Sequence, residues 1–384
     1  MKHLYIVAIT LLLSISALSA QSKPNFLDRV KGVFSTEVKI GTYTFKDGSL
    51  YTGDLKRRKP HGMGKTVFKN GDTYEGEYFK GLRHGYGVLN YADGERYEGN
   101  WENDLKHGKG IYYFVNNNRY SGEWNRNHQH GEGTMYYHNG DVYEGNWVDD
   151  KREGVGTYRW ANGGSYVGQW KNDKKCGDGI IHWSDGCVYD GEWKEDTRNG
   201  KGSFTYINGD KYEGGWINDV QEGRGIYTFN TGDKYIGDYI NGERTGEGVY
   251  YYANKDVYKG EFKNGLQDGK GTFEWANGAK YVGDWKDNIR EGKGSYTWSN
   301  GDLYEGEWKE NEPNGKGKLT LANGTVYTGD FVNGVEDGEG VLIDKDGKRY
   351  EGTFSKGKKH GEFKEYDEEG NFIKNITFRY DIIK

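Results

Sequence analysis

From Gly41 onward, apolar and polar residues alternate with a period of two, in short runs broken by turn residues. That alternation predicts β-strands with one face distinct from the other. Two phrases recur. The first is Tyr-x-Gly-x-aromatic, as at Tyr143, Gly145 and Trp147; the second is Gly-x-Gly-x-apolar-x-aromatic, as at Gly200, Gly202, Phe204 and Tyr206. The lead Tyr of the first phrase stands at 51, 74, 97, 120, 143, 166, 189, 212, 235, 258, 281, 304, 327 and 350. Each step is 23 residues, with no insertion or deletion across fourteen repeats. An aromatic follows the lead Tyr by four positions everywhere except at Leu55, and Gly-x-Gly fails only where Phe363 replaces its second glycine. Such self-similarity marks a repeat array in which each repeat is one hairpin-sized unit.

The turn between the second strand and the next lead Tyr fixes the register. Asn208-Gly209 and Asp185-Gly186 are hairpin signals. A three-residue loop, Ser184 to Gly186, sets Tyr189 opposite Ile181, Gly191 opposite Gly179 and Trp193 opposite Gly177. Opposed residues share a face, so the patterned Gly, Tyr and Trp then lie on one side, each glycine leaving a gap for a neighbouring ring. Asn117 and Lys255 stand where the turn glycine is expected, so those two turns are expected to differ. Between the first and second strands the sequence predicts a longer polar loop, such as Asn172 to Cys176.

These phrases resemble MORN repeats, and the resemblance runs from Gly41 to about Gly361. It implies an all-β fold: an elongated, twisted single-layer antiparallel meander of hairpins with an aromatic-lined groove. Fourteen repeats of two strands, at about 4.8 Å per strand, would reach roughly 130 Å. It also implies a protein partner or self-association, since MORN proteins often dimerise, and raises anionic phospholipid as another ligand. Residues 362–384 keep a turn at Gly370 but lose the pattern, which reads as a terminal cap.

Composition changes the picture in two ways. Hydrophobic residues make up 33% of the 384-residue chain and aromatics 16%, so Tyr, Trp and Phe must carry the burial. The net charge of -6 argues against a nucleic-acid partner, which would want a basic face. At the N-terminus, Lys2 and His3 precede an apolar run to Leu13 and small residues around Ala20. That layout predicts a signal peptide over 1–20, a linker over 21–40 and an exported protein, periplasmic, cell-surface or extracellular. A membrane anchor is the competing reading, though the run is short for a bilayer span.

Candidate chemistry is sparse. His61, His84, His107 and His130 share one position in four successive repeats, but equivalent atoms would lie about 9 to 10 Å apart, too far to share an ion. Cys176 and Cys187 flank one strand, roughly 20 Å apart by strand rise, and are predicted free. An acidic residue follows the lead Tyr by three positions in nine repeats, among them Glu192 and Asp284. A catalytic pair would occur once and in a pocket, so these read as a solvated face. Neither a catalytic site, a metal site nor a cofactor is expected. The candidate ligand groove is the ring set Tyr97, Trp101, Trp124, Tyr143, Trp147, Tyr166, Trp170, Trp193 and Trp216, which a glycan could stack on; the same rings could instead simply pack on one another. A candidate basic rim comprises Arg57, Arg58, Lys59, Arg83, Lys106, Lys151, Arg152, Lys174 and Lys175, able to steer a partner or an anionic lipid surface.

Overall fold

The computed structural model describes residues 38–384. Its strands are numbered in chain order from β1 (Lys39–Thr44) to β31 (Ile382–Ile383), and their pairings form an open antiparallel hairpin meander with no helix among the described residues. Contacts divide the chain into two units: one up to Val115 with Trp124–Asn127, the other Asn116–Glu123 with His128–Lys384. The signal peptide and most of the linker lie outside the described residues. The array itself starts at Lys39, two residues before the expected boundary.

The predicted register holds. In the second unit, β13 (Lys174–His182) pairs with β14 (Val188–Lys194), placing Gly177, Gly179 and Ile181 opposite Trp193, Gly191 and Tyr189. Beyond the last ladder pair, Trp183 and Cys187 enclose a three-residue loop, Ser184 to Gly186. Trp183 N–H donates to the Cys187 carbonyl (2.9 Å), Gly186 N–H donates back to the Trp183 carbonyl (3.1 Å), and Gly186 sits at φ +96°. The Lys255 turn, contrary to expectation, is no different: Lys255 takes φ +76° and donates to the Tyr252 carbonyl at 2.9 Å. The surrounding ladder imposes the glycine conformation on a lysine.

The other connection departs from expectation. β12 (Ser165–Lys171) and β13 are joined by two residues, Asn172 and Asp173, at φ +49° and +69°, with Lys171 paired to Lys174. Two consecutive positive φ values match a tight hairpin turn whose twist suits the strands. The apparent extra loop length is absorbed by a bulge, seen as a register shift between Gly168 and Gln169. The shift recurs beside the corresponding glycine in other repeats, for example between Gly191 and Trp193.

The bulge explains residue choices that alternation cannot. It leaves a carbonyl and an N–H without ladder partners, and buried backbone groups must be paired. The lead Tyr hydroxyl donates to the carbonyl three residues on in thirteen repeats, from Tyr51 to Tyr327, at 2.7–3.2 Å. Phenylalanine could not do this. The acidic residue at that same third position takes the N–H: Lys201 N–H donates to Glu192 (3.0 Å), Lys270 N–H to Glu261 (3.0 Å) and Lys293 N–H to Asp284 (2.9 Å). These carboxylates therefore cap bulges and are not merely solvated.

The core is the ring face. The lead tyrosines from Tyr51 to Tyr304 are almost wholly buried. Each ring lies on two glycines: a Cβ at Gly202 would come within 2.5 Å of Tyr189 Cε2, and one at Gly191 within 2.7 Å of its hydroxyl. The first glycine of Gly-x-Gly plays another part. Gly154, at φ +67°, faces the Asn146 side chain and not a ring, so its role is the bulge conformation. Phe363 ends the pattern by packing on Gly352, where a second glycine would have seated Tyr350. Tyr350 turns instead toward Glu365, 3.4 Å away.

Candidate functional site

The rings proposed as a groove are interior. Tyr97, Tyr143 and Tyr166 are fully buried, and Trp101, Trp124, Trp147, Trp170, Trp193 and Trp216 are each at most 5% exposed. They interlock edge to face: Tyr166 meets Trp170 at 5.2 Å and Trp193 at 5.5 Å, and Tyr189 meets Trp193 at 5.2 Å and Trp216 at 5.5 Å. Each indole N–H donates to a glycine carbonyl of the preceding repeat, as Trp193 does to Gly179 (2.9 Å). These rings hold repeats together and leave little face for a ligand to stack on.

The basic residues divide into two groups. Arg83, Lys106, Arg152 and Lys175 are not on the rim; they lie across the ring face. The Arg152 guanidinium sits 4.2 Å from the Trp170 centroid, Arg83 4.2 Å from Trp101, Lys106 4.4 Å from Trp124 and Lys175 4.4 Å from Trp193. Arg152 is also tied to the next turn, with Nε 3.1 Å from Asp173 and a terminal N–H donating to the Asp173 carbonyl (2.8 Å). Arg83 repeats this with Asp104. Sequence reasoning missed Arg198, Arg244 and Arg290, which occupy the same place; the signal was their identical offset from the lead Tyr. Burial pushes the Lys175 ammonium below its ordinary pKa. The second group, Arg57, Arg58, Lys59, Lys151 and Lys174, is exposed at turns. Arg57 and Arg58 form their turn at φ +50° and +60°, a conformation that favours Gly or Asn.

The remaining candidates carry no assembled chemistry. His61 and His84 pack against Phe79, at 5.3 and 5.6 Å between ring centroids, and His107 faces Glu102 at 3.6 Å. No cluster of three or more potential metal ligands exists among the described residues. Cys176 lies within β13 and Cys187 beyond it; both are free, and burial raises both thiols above their ordinary pKa. On the face opposite the rings, the second unit has a hollow of about 720 Å³ floored by Gly248, Gly260, Gly271 and Gly283. On that face Arg224 pairs with Asp238 at 3.7 Å and Lys270 pairs with Asp284.

A further ring row was not singled out from the sequence. In eight repeats of the second unit the residue just after the second strand is aromatic (Tyr137, Trp160, Trp183, Tyr206, Phe229, Tyr252, Trp275 and Trp298), and each of these rings is half-buried at the edge of the ring face. These outer rings alternate with inner ones in a contact chain: Tyr250–Tyr252 4.5 Å, Tyr252–Phe273 5.6 Å, Phe273–Trp275 4.5 Å, Trp275–Tyr296 5.1 Å and Tyr296–Trp298 4.7 Å.

Among solved structures, the chain is similar to the TCP domain of Drosophila melanogaster SAS-4 in complex with a proline-rich motif of Ana2. That match has 14% identity and a TM-score of 0.27, and it covers 46% of this chain and 90% of that one. It is also similar to the Danio rerio CPAP TCP10 domain in complex with a STIL peptide (9% identity, TM-score 0.19, 88% of this chain and 100% of that one). A third is virginiamycin B lyase from Staphylococcus aureus (11% identity, TM-score 0.13, 81% and 93%). Superposition this loose transfers no activity or partner. A search of the curated proteins gave no match. The MORN repeat family model, by contrast, matches fourteen consecutive segments from 51–73 to 350–362. With its lead tyrosines, glycine seats and 23-residue period accounted for throughout, the chain belongs to the MORN-repeat family.

Proposed function

We propose that this chain is an exported, non-catalytic scaffold that offers its repeated surfaces to protein partners, a second copy of itself among them. The observation that carries the reading is how the polar residues are used. The recurring carboxylates cap bulges, the buried hydroxyls and indole N–H groups satisfy backbone carbonyls, and the ring-face cations cover indoles. What remains is exposed surface repeated at a fixed pitch, which gathers small contacts into useful affinity. The N-terminal sequence supports export.

The test is small-angle scattering of the mature chain over a concentration series, with affinity capture from the envelope or extracellular fraction. Retention of specific proteins is expected; a chain that retains none above a control and stays monomeric at every concentration would remove the basis of the proposal. Mass rising with concentration would identify the second copy as a partner. The exposed turn at Arg57, Arg58 and Lys59 favours a second reading, attachment to an anionic membrane surface. Sedimentation with phosphatidylserine vesicles at moderate salt decides it: a free chain in the supernatant retires that reading.

A further inference from the structure

The first and last strands of the array treat their open edges differently. β1 pairs residue for residue with β2 (Leu50–Lys56) and has no partner on its other side among the described residues. Sheets usually blunt such an edge with charge, proline or a covering segment. At the other end, β30 (Phe372–Arg379) carries Lys374, and β31 covers its last residues through the pairs Phe378–Ile383 and Arg379–Ile382. β1 has neither device. From Ile40 to Thr44 it holds no charge and no proline, its residues other than Gly41 favour strand, and Ile40 is 85% exposed.

The hydrogen-bond phase of β1 identifies the open groups. Phe45 N–H donates inward to the Ser49 carbonyl (2.9 Å), and Tyr43 and Gly41 face Tyr51 and Gly53 further along the same ladder. An antiparallel ladder turns alternate residues toward one neighbour, so Ile40, Thr42 and Thr44 turn their N–H and carbonyl groups outward. A second β1 run antiparallel about Thr42 places Thr42 opposite Thr42 and Ile40 opposite Thr44. Every outward group then meets an outward group, giving about six hydrogen bonds, two per facing pair. A shift of two residues would instead face Gly41 with Gly41, bare backbone against bare backbone, or Tyr43 with Tyr43, crowding two rings at the axis.

Side chains agree with that register. Opposed residues share a face, so Tyr43 of each copy lies opposite Gly41 of the other, on the ring face. Gly41 lacks the tyrosine that covers the corresponding glycine of the next repeat. A Cβ at Gly41 would meet only the Leu55 side chain within 4 Å, whereas one at Gly64 would lie 2.2 Å from Tyr51 Cε2. Tyr43 is half-buried, with the Phe45 ring 5.1 Å away. A ring laid across an unprotected edge glycine is a stabilising cross-strand pair. The uncovered glycine and the ring stand two residues apart on one strand, so a two-fold axis serves both copies at once. That reciprocity selects a second copy of this chain over an unrelated strand.

We propose that two copies of this chain pair edge to edge through β1, in a two-fold dimer centred on Thr42. The proposal rests on the scaffold reading and names the surface by which the second copy joins. One strand pair buries less than the roughly 1,200 Å² at which standard interfaces begin, so the dimer is weak and forms at micromolar concentrations or above. Sedimentation equilibrium of the mature chain, carried into that range, should show a monomer–dimer equilibrium that stops at two copies. Thr42 is exposed, so Thr42→Lys and Thr42→Glu leave the fold alone, read as an unchanged urea midpoint. Each sets like charges across the axis and should weaken dimerisation at least about tenfold. An equimolar mixture of the two variants sets opposite charges across the axis and should restore dimers containing one of each. A monomeric parent, assembly beyond two copies, charge variants that dimerise like the parent, or a mixture that stays monomeric would each overturn the proposal. If the parent is monomeric yet still retains specific proteins in affinity capture, the β1 edge fails while the scaffold reading survives.

Discussion

Gly202→Ala tests the central packing idea with a single methyl group. The new Cβ would lie 2.4 Å from Tyr189 Oη and 2.5 Å from its Cε2, where ordinary carbon contacts are about 3.5–4.0 Å. The ring would have to retreat by about 1 Å. It cannot do so freely, because Trp193 and Trp216 meet it edge to face on two sides. Overpacking of this kind costs about 1–3 kcal/mol. If Tyr189 also loses its bond to the Glu192 carbonyl, an unpaired buried acceptor adds about 1–3 kcal/mol. Alanine's stiffer unfolded chain returns only about 0.4–1 kcal/mol. The expected net loss is about 2–4 kcal/mol. A repeat array opens locally, so native-state hydrogen exchange across β14 and β15 (Thr197–Thr205) is the right assay, alongside urea unfolding. Tyr189→Leu should be costly in the parent chain but much less so beside Gly202→Ala, with a coupling of about 1–2 kcal/mol. Strict additivity would mean that the glycine is not there for the ring.

Tyr189→Phe keeps the ring and strands the Glu192 carbonyl, so exchange protection at that bulge should fall by about 1–3 kcal/mol, and protection equal to the parent's would deny the hydroxyl its role. Lys255→Gly relieves a lysine held at φ +76° and should stabilise its turn by about 1 kcal/mol, measurable as a higher urea midpoint with unchanged slope. Burial raises the phenols of Tyr78, Tyr235 and Tyr304 to about 12. Their neutral forms are favoured by the fold, so that stability is complete below the unfolded value near 10 and is lost as pH climbs from about 10 through 12. Circular dichroism and tyrosinate absorbance should therefore change together in that window, and core ionisation in a chain that stays folded would contradict the burial argument.

Alternation and the turn residues made the register legible before any coordinates, because shifting it by one residue throws the rings to the wrong side. Position within the sheet was harder. The pair Asn172 and Asp173 looked like the start of a long loop because a bulge adds a residue without leaving any mark in hydrophobic periodicity. Only after the bulge is placed do the tyrosine hydroxyl and the acid at the third position acquire reasons, although both were visible as regularities. Arg152 and Lys175 were misplaced on the rim for the same cause: the short turn moves them one step into the sheet, over Trp170 and Trp193.

A side chain that the period dictates is poor evidence of function, since each repeat must supply it merely to stand. The Trp of the first phrase illustrates this: it looked like a binding surface because it recurs, and where it recurs it donates to a glycine carbonyl of the preceding repeat. Informative positions are those where the scaffold accepts several residues, so that the one present is not dictated by the repeat. The outer ring is one. Its place holds Phe229, Tyr252 or Leu321 in some repeats and Trp160, Trp183, Trp275 and Trp298 in others, whose indole N–H groups have no hydrogen-bond partner among the described residues. The Arg57-Arg58 turn is another, since Asn-Gly or Asn-Asp would form it at lower conformational cost. Arg57→Asn with Arg58→Gly should therefore weaken partner binding while raising the urea midpoint, as Lys255→Gly does at its own turn, and a pair that changes neither would show the turn to be incidental.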